Sequence, residues 1–148
     1  MPRHASGTGP RIAIDGAHGN YHTAGGRYRP FADVLRADGY RVEAFESEFT
    51  AEKLSSVDVL VIANALAERN QKDWSLPTPS AFSKSEISTV QDWVQNGGAL
   101  LLIADHMPFP GASKELAEAF GLSLFNGFVF DQDRNGSLRF DSTKNRLA

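Results

Sequence analysis

Three short apolar runs limit what this chain can become: RIAID (Arg11 to Asp15), VDVLVIANA (Val57 to Ala65) and ALLLIADH (Ala99 to His106). Each is bounded by turn signals and is too short for a helix of ordinary length, so each reads as a β-strand. The last, opened by Gly97-Gly98, predicts a strand buried on both faces. Each run ends on polar side chains: Asp15, Asn64, and Asp105 followed by His106. Segments with helical spacing lie between the runs. Strands alternating with helices predict a parallel sheet with right-handed crossovers, and such sheets take their ligands outside the carboxyl ends of the strands. Asp15, Asn64 and Asp105 are therefore expected along one rim.

The connecting segments fit this plan. Phe31, Val34 and Leu35 fall at helical spacing with Gly39 as the stop, and Tyr40 to Phe45 alternates as a second, more exposed strand. Thr50 to Leu54 reads as a short helix. Ser83 and Glu86 form a capping box for a helix lined by Ile87, Val90 and Val94 and ended by Gly97. Ser113 to Phe120 predicts a further helix, with Leu116, Ala117 and Phe120 inward and Gly121 as its stop, and Leu122 to Phe125 a fifth strand. FVF and LRF around Asn135-Gly136 predict a C-terminal β-hairpin. The connection from Leu66 to Phe82 has the length of a functional lid or a disordered segment. Within it Trp74 reads as a partly buried anchor, and Trp93 in the third helix reads as packing.

A chain of 148 residues suffices for one domain with its own core. With 15 basic and 18 acidic residues it has no basic stripe for nucleic acid. Without cysteine it has neither thiolate nucleophile nor thiolate metal site. No run reaches the roughly twenty apolar residues that span a bilayer, and MPRHASGTGP lacks the apolar core of an export signal. A cytoplasmic protein with no membrane or nucleic-acid partner is expected.

His18, His22 and His106 stand in loops beside Asp15 and Asp105. Neutral imidazoles and carboxylates in one place fit two chemistries. One is an acid/base pair, with His106 or His18 as base and Asp15 or Asp105 orienting it. The other is a divalent metal held by Asp15, His18 and His106. Asn20, His22, Asn64 and Arg27 are the candidate ligand-binding residues, Arg27 with Arg29 facing either an anionic ligand or solvent. The structural alternative has Asp15 and Asn64 capping the turns that follow their strands. Asp131 to Ser137 has the start of a calcium loop, but its twelfth position is Ser142 rather than glutamate, so a hairpin turn is the better reading. No cofactor is expected, with a divalent metal as the alternative.

The strand VDVLVIANA, the helix FSKSEISTVQDWVQNGG and the strand ALLLIADH together resemble the class I glutamine amidotransferase-like superfamily. The passage is similar to those of trehalose-utilisation-type proteins and of GIFT domains in gliding and intraflagellar-transport proteins, and DGAHGN resembles a bacterial branch of that group. The resemblance covers Arg11 to Phe125 and implies a flavodoxin-like three-layer α/β sandwich with a mostly parallel sheet. Amidotransferases carry a cysteine nucleophile in the turn after the strand that here ends at Ala104, where this chain has Asp105-His106. Thiolate-dependent glutamine hydrolysis is therefore not expected. Members of that branch run on past the NRLA ending, which implies a domain over residues 1–148 cut short, with an exposed edge covered by a second copy in a homodimer. The expected function is a module binding a small polar, sugar-like or peptide ligand in the polar crevice. The alternative is a hydrolase working through a His/Asp pair, with or without a metal.

Overall fold

The computed structural model describes residues 1–129. Four parallel strands, β1 (Arg11–Asp15), β2 (Arg41–Phe45), β3 (Val59–Ala63) and β4 (Ala99–Ile103), form one sheet in the order β2-β1-β3-β4. The register pairs Ile14 with Ala44 and Val61, and Ala63 with Ile103, so all four carboxyl ends lie along one edge of the sheet. Between β1 and β3 successive connections leave in opposite directions, which is the switch point where such sheets open a crevice. Helices α1 (Arg29–Ala37), α2 (Ala51–Leu54), α3 (Lys84–Gln95) and α4 (Phe109–Glu118) complete the fold.

Alternation along the strands divides the core in two. Ala13, Leu60 and Ile62 meet Leu54, Val90 and Leu116 from α2, α3 and α4. Ile12, Ile14 and Val61 face the other way, onto Ala32 of α1. The result is a flavodoxin-like three-layer α/β sandwich. Leu60 and Ile62 have no exposed surface, and full burial of such side chains contributes about 1.5–3 kcal/mol each.

Local signals set the helix ends. Pro30 supplies a preset φ in the first turn of α1, and beyond that helix Gly39 takes a φ of 93°, where a Cβ would also overlap the His4 carbonyl. Val34, however, is 67 % exposed, leaving Ala32, Phe31 and Leu35 as the packing face. The capping box of α3 is complete, with the Ser83 and Glu86 side chains each bonded to the other's backbone N–H. Helix α4 starts at Phe109, four residues before the expected Ser113. Pro108 and Pro110 occupy its N-cap and first turn, positions that need no intrahelical N–H bond.

Two expectations fail. Among the described residues the ALLLI strand is an edge strand, with Ala99 and Leu101 exposed and its other residues half-buried. Leu100 and Leu102 pack on the α3 side, while Leu101 projects to the face on which α1 covers only the other side of the sheet. Leu122 to Phe125 is not a strand: the Leu122 N–H closes the end of α4 on the Ala117 carbonyl, and Leu122 and Phe125 are exposed. The hairpin around Asn135-Gly136 and the Asp131 to Ser137 loop lie outside the described residues.

Candidate functional site

The polar side chains at the carboxyl edge form two separate networks. The first is buried beneath the loop after β1. Asp15, fully buried, accepts from the Ala17 N–H at 3.2 Å and the Asn20 amide at 2.9 Å, and both its oxygens lie 2.9–3.0 Å from His18 Nδ1. The other ring nitrogen, Nε2, is 2.8 Å from Glu86 Oε1. Glu86 Oε1 also accepts from the Phe49 N–H, and Oε2 accepts from the Ser83 N–H and hydroxyl. The imidazole lies against the rings of Phe49 and Phe82, at centroid distances of 4.5 and 4.8 Å.

Carboxylates facing both nitrogens favour the doubly protonated ring, in which both nitrogens donate. Burial pulls the His18 pKa down, but Asp15 and Glu86 outweigh it and hold the value above the ordinary one. Burial likewise pushes Glu86 up, and the Ser83 hydrogen bonds, His18 and the Phe49 N–H bring it down to about 2. Both His18 nitrogens are engaged by carboxylates within this buried network, so neither is turned towards a substrate or a metal. Asp15 thus orients the His18 ring as expected, but the other nitrogen of that ring is bonded to Glu86 and both residues are buried. Asn20 is likewise turned inward, accepting from the His18 N–H and donating to Asp15.

The second network is open. Asn64, directly after β3, is 1 % exposed and has a φ of 53°, a left-handed conformation that asparagine tolerates better than most residues. Its side-chain oxygen accepts from the Asp105 N–H at 3.2 Å and its amide donates to Asp105 Oδ2 at 3.0 Å, which ties the ends of β3 and β4 together. The amide also reaches His22 Nδ1 at 3.2 Å, so that nitrogen accepts and the His22 proton sits on Nε2. Asp105 Oδ1 accepts from the His106 backbone N–H at 2.6 Å. The carboxylate therefore fixes the backbone of His106 and not its ring, contrary to the expected orienting role. The Met107 carbonyl orients the ring by accepting from Nδ1 at 2.7 Å, and Nε2 has no hydrogen-bond partner among the described residues.

Aromatic rings surround this second network. His106 lies near Trp74, Phe109 and Phe128, and Trp74 packs edge-on to Tyr21 and Phe109. Tyr21 and Trp74 are 40 % and 38 % exposed, and the Arg27 guanidinium lies 4.3 Å from the Tyr21 ring centre. Arg29 faces solvent beside Asp33. Asp15, His18 and His106 do not assemble: no group of three His, Cys, Asp or Glu residues among the described residues is placed to hold a metal ion.

Sequence reasoning missed three residues here. Glu86 was visible only as a capping glutamate. Tyr21 is fixed by its N–H to the Asn64 carbonyl, a loop-to-loop contact with no local signal. Asn70, fully buried in a 3₁₀ turn over Glu68–Gln71, donates to the carbonyls of Asp73 and Ser75 and lies 3.4 Å from that of Pro77. It gives the Leu66 to Phe82 connection an ordered shape that presents Trp74.

No family model matches the chain, and no curated protein matches it. Among solved structures the fold is similar to one described as the mmIFT52 N-terminal domain, with a TM-score of 0.65 and 18 % identity over 88 % of this chain. The chain spans about half of that structure, 51 % of its length. At this identity the likeness concerns the fold alone.

Proposed function

We propose that this domain is an amidotransferase-like binding module that takes a small polar, sugar-like ligand on the rim formed by Tyr21, His22, Asn64, Trp74, Asp105 and His106. The observation that carries the reading is the pairing of two half-exposed aromatic rings with polar atoms still open to a ligand. Tyr21 and Trp74 offer flat apolar faces for the C–H surface of a sugar ring. His22 Nε2 donates, His106 Nε2 accepts, and the exposed Asp105 carboxylate accepts from hydroxyls. Arg27 adds a cation at one end for an acidic substituent.

The test is a titration of ¹⁵N-labelled protein with neutral and acidic monosaccharides and their oligomers, followed at the Trp74 indole and at the backbone amides of Tyr21, His22 and His106. Saturable shifts that Trp74→Ala and Asp105→Ala abolish support the reading, and a rim that responds to none of these sugars removes it. A hydrolase is the second reading, favoured by the oriented His106 ring with its open Nε2, which can serve as a general base. Turnover of chromogenic esters or glycosides that His106→Ala abolishes without unfolding the protein would establish it. We also propose self-association through β4, an apolar edge without charge or proline to guard it. Light scattering that finds a monomer at high concentration removes that element.

A further inference from the structure

At the opposite end of the sheet, where β3 and β4 begin, two adjoining cavities of about 360 and 260 Å³ lie around Trp93 and share its ring and Asn96. We propose that this cleft is a second binding site, for a guanidinium group stacked on the Trp93 indole. The chemistry of its wall points to that ligand. Asp58 lines the larger cavity; its Oδ2 accepts from the Arg11 N–H at 2.7 Å, and its Oδ1 has no partner among the described residues. Asn96 donates its amide to the Asp92 carbonyl at 2.8 Å, and its side-chain oxygen has no partner among the described residues. The Ser55 hydroxyl donates to the Glu52 carbonyl, so towards the cavity it can only accept. The carboxylate of Asp92 lines the smaller cavity.

The backbone at the end of α3 adds no donors. The N–H groups of Asn96, Gly97 and Gly98 close the end of α3 on the carbonyls of Asp92, Val94 and Trp93. Apart from the indole N–H of Trp93 and the Thr89 hydroxyl, which can donate or accept, the side-chain polar groups traced around the cleft present acceptors.

Charge points the same way. Helix α3 ends at the cleft with no basic residue in its last turn, so the negative end of its dipole adds to Asp58 and Asp92. Neither cavity has a basic side chain in its lining. The Arg11 guanidinium is held beside the cleft, with Nη1 3.5 Å from the Ser56 carbonyl. Gly98 lies against the indole so closely that a Cβ would overlap the ring, which seats Trp93 on the backbone. A guanidinium has five donors and no acceptor, and it stacks on tryptophan; a compact ammonium would satisfy fewer of these acceptors.

The test uses the indole N–H resonances of the whole chain, that of Trp93 assigned by its loss in Trp93→Phe. N-acetyl-arginine amide, an arginine-centred tripeptide and methylguanidinium are titrated against the citrulline analogue, which has the same shape without the charge. The expected result is a saturable shift at Trp93 with Kd of about 1 mM, absent with citrulline and with Trp74 unmoved. Asp58→Asn is expected to weaken binding roughly fivefold and Asp92→Asn about twofold. Tighter binding of the tripeptide than of methylguanidinium identifies an arginine side chain as the natural occupant, and equal binding a free guanidino compound. No saturable shift, or an equal shift with citrulline, overturns the site. So does unchanged affinity in Asp92→Asn, together with Asp58→Asn where that variant folds.

Discussion

The two networks at the carboxyl edge use the same residue types to opposite ends. Around His18 both ring nitrogens are bonded to carboxylates, the ring is 8 % exposed, and further donors satisfy the carboxylates. Around His106 a single backbone carbonyl orients the ring, and the Asp105 carboxylate, bonded to the His106 backbone, is exposed. A histidine next to a carboxylate is therefore not by itself a site. What separates a structural ion cluster from a chemical one is whether a nitrogen is left over, and here one network serves folding while the other remains available to a ligand.

The largest effect that would test this contrast is on stability. His18→Leu leaves Asp15 and Glu86 buried without their shared cation, and breaking such a buried cluster costs about 3–5 kcal/mol, readable as a lower urea midpoint. If this variant unfolds at the wild-type midpoint, His18 is not the keystone described above.

Next comes the pH dependence of wild-type stability. Glu86 has its folded pKa depressed to about 2 from 4.5, so its contribution is complete above 4.5 and is lost as pH falls towards 2. His18 is raised above 6.5, so its contribution is complete below 6.5 and is lost as pH rises through the folded value. Urea unfolding across the pH range should show the contribution of this pair highest between about 4.5 and 6.5 and falling on both sides. In His18→Leu the alkaline limb should flatten.

A smaller effect is expected at the open network. Asn64→Asp sets a second carboxylate against Asp105 and removes the donor to His22, for an expected loss of about 1 kcal/mol in thermal or urea unfolding. The smallest belongs to His106→Ala. Its free nitrogen holds nothing together, so stability should change by less than about 0.5–1 kcal/mol while ligand affinity falls. A large loss of stability in this last variant would erase the distinction between the two networks.

Much of this was legible in the chain because the relevant signals are local. An apolar run followed by Asp15, Asn64 or Asp105 encodes a strand and the residue at its mouth, and Ser83 with Glu86 encodes a helix start. What escaped depends on partners distant in sequence. ALLLI has the same composition whether it lies in the middle of a sheet or at its edge, and only strand order decides between them. Glu86 satisfies its capping role within three residues, which hides its second bond to His18, 68 residues away. Pro108 and Pro110 read as breakers, although the same fixed φ opens α4. The polar rim was thus predicted as a place, while its division into a sealed half and an open half awaited the side-chain contacts.

Asn70 gathers the carbonyls of Asp73, Ser75 and Pro77 around one amide, which concentrates the integrity of a seventeen-residue excursion, Leu66 to Phe82, in one side chain. Replacing it with alanine should release Asp73, Ser75 and Pro77 together and open the segment to limited proteolysis while the sheet stays folded. Trp74 would then be presented by a tether instead of a bracket, and any partner recognised through that indole would have to bear the entropy of fixing it in place.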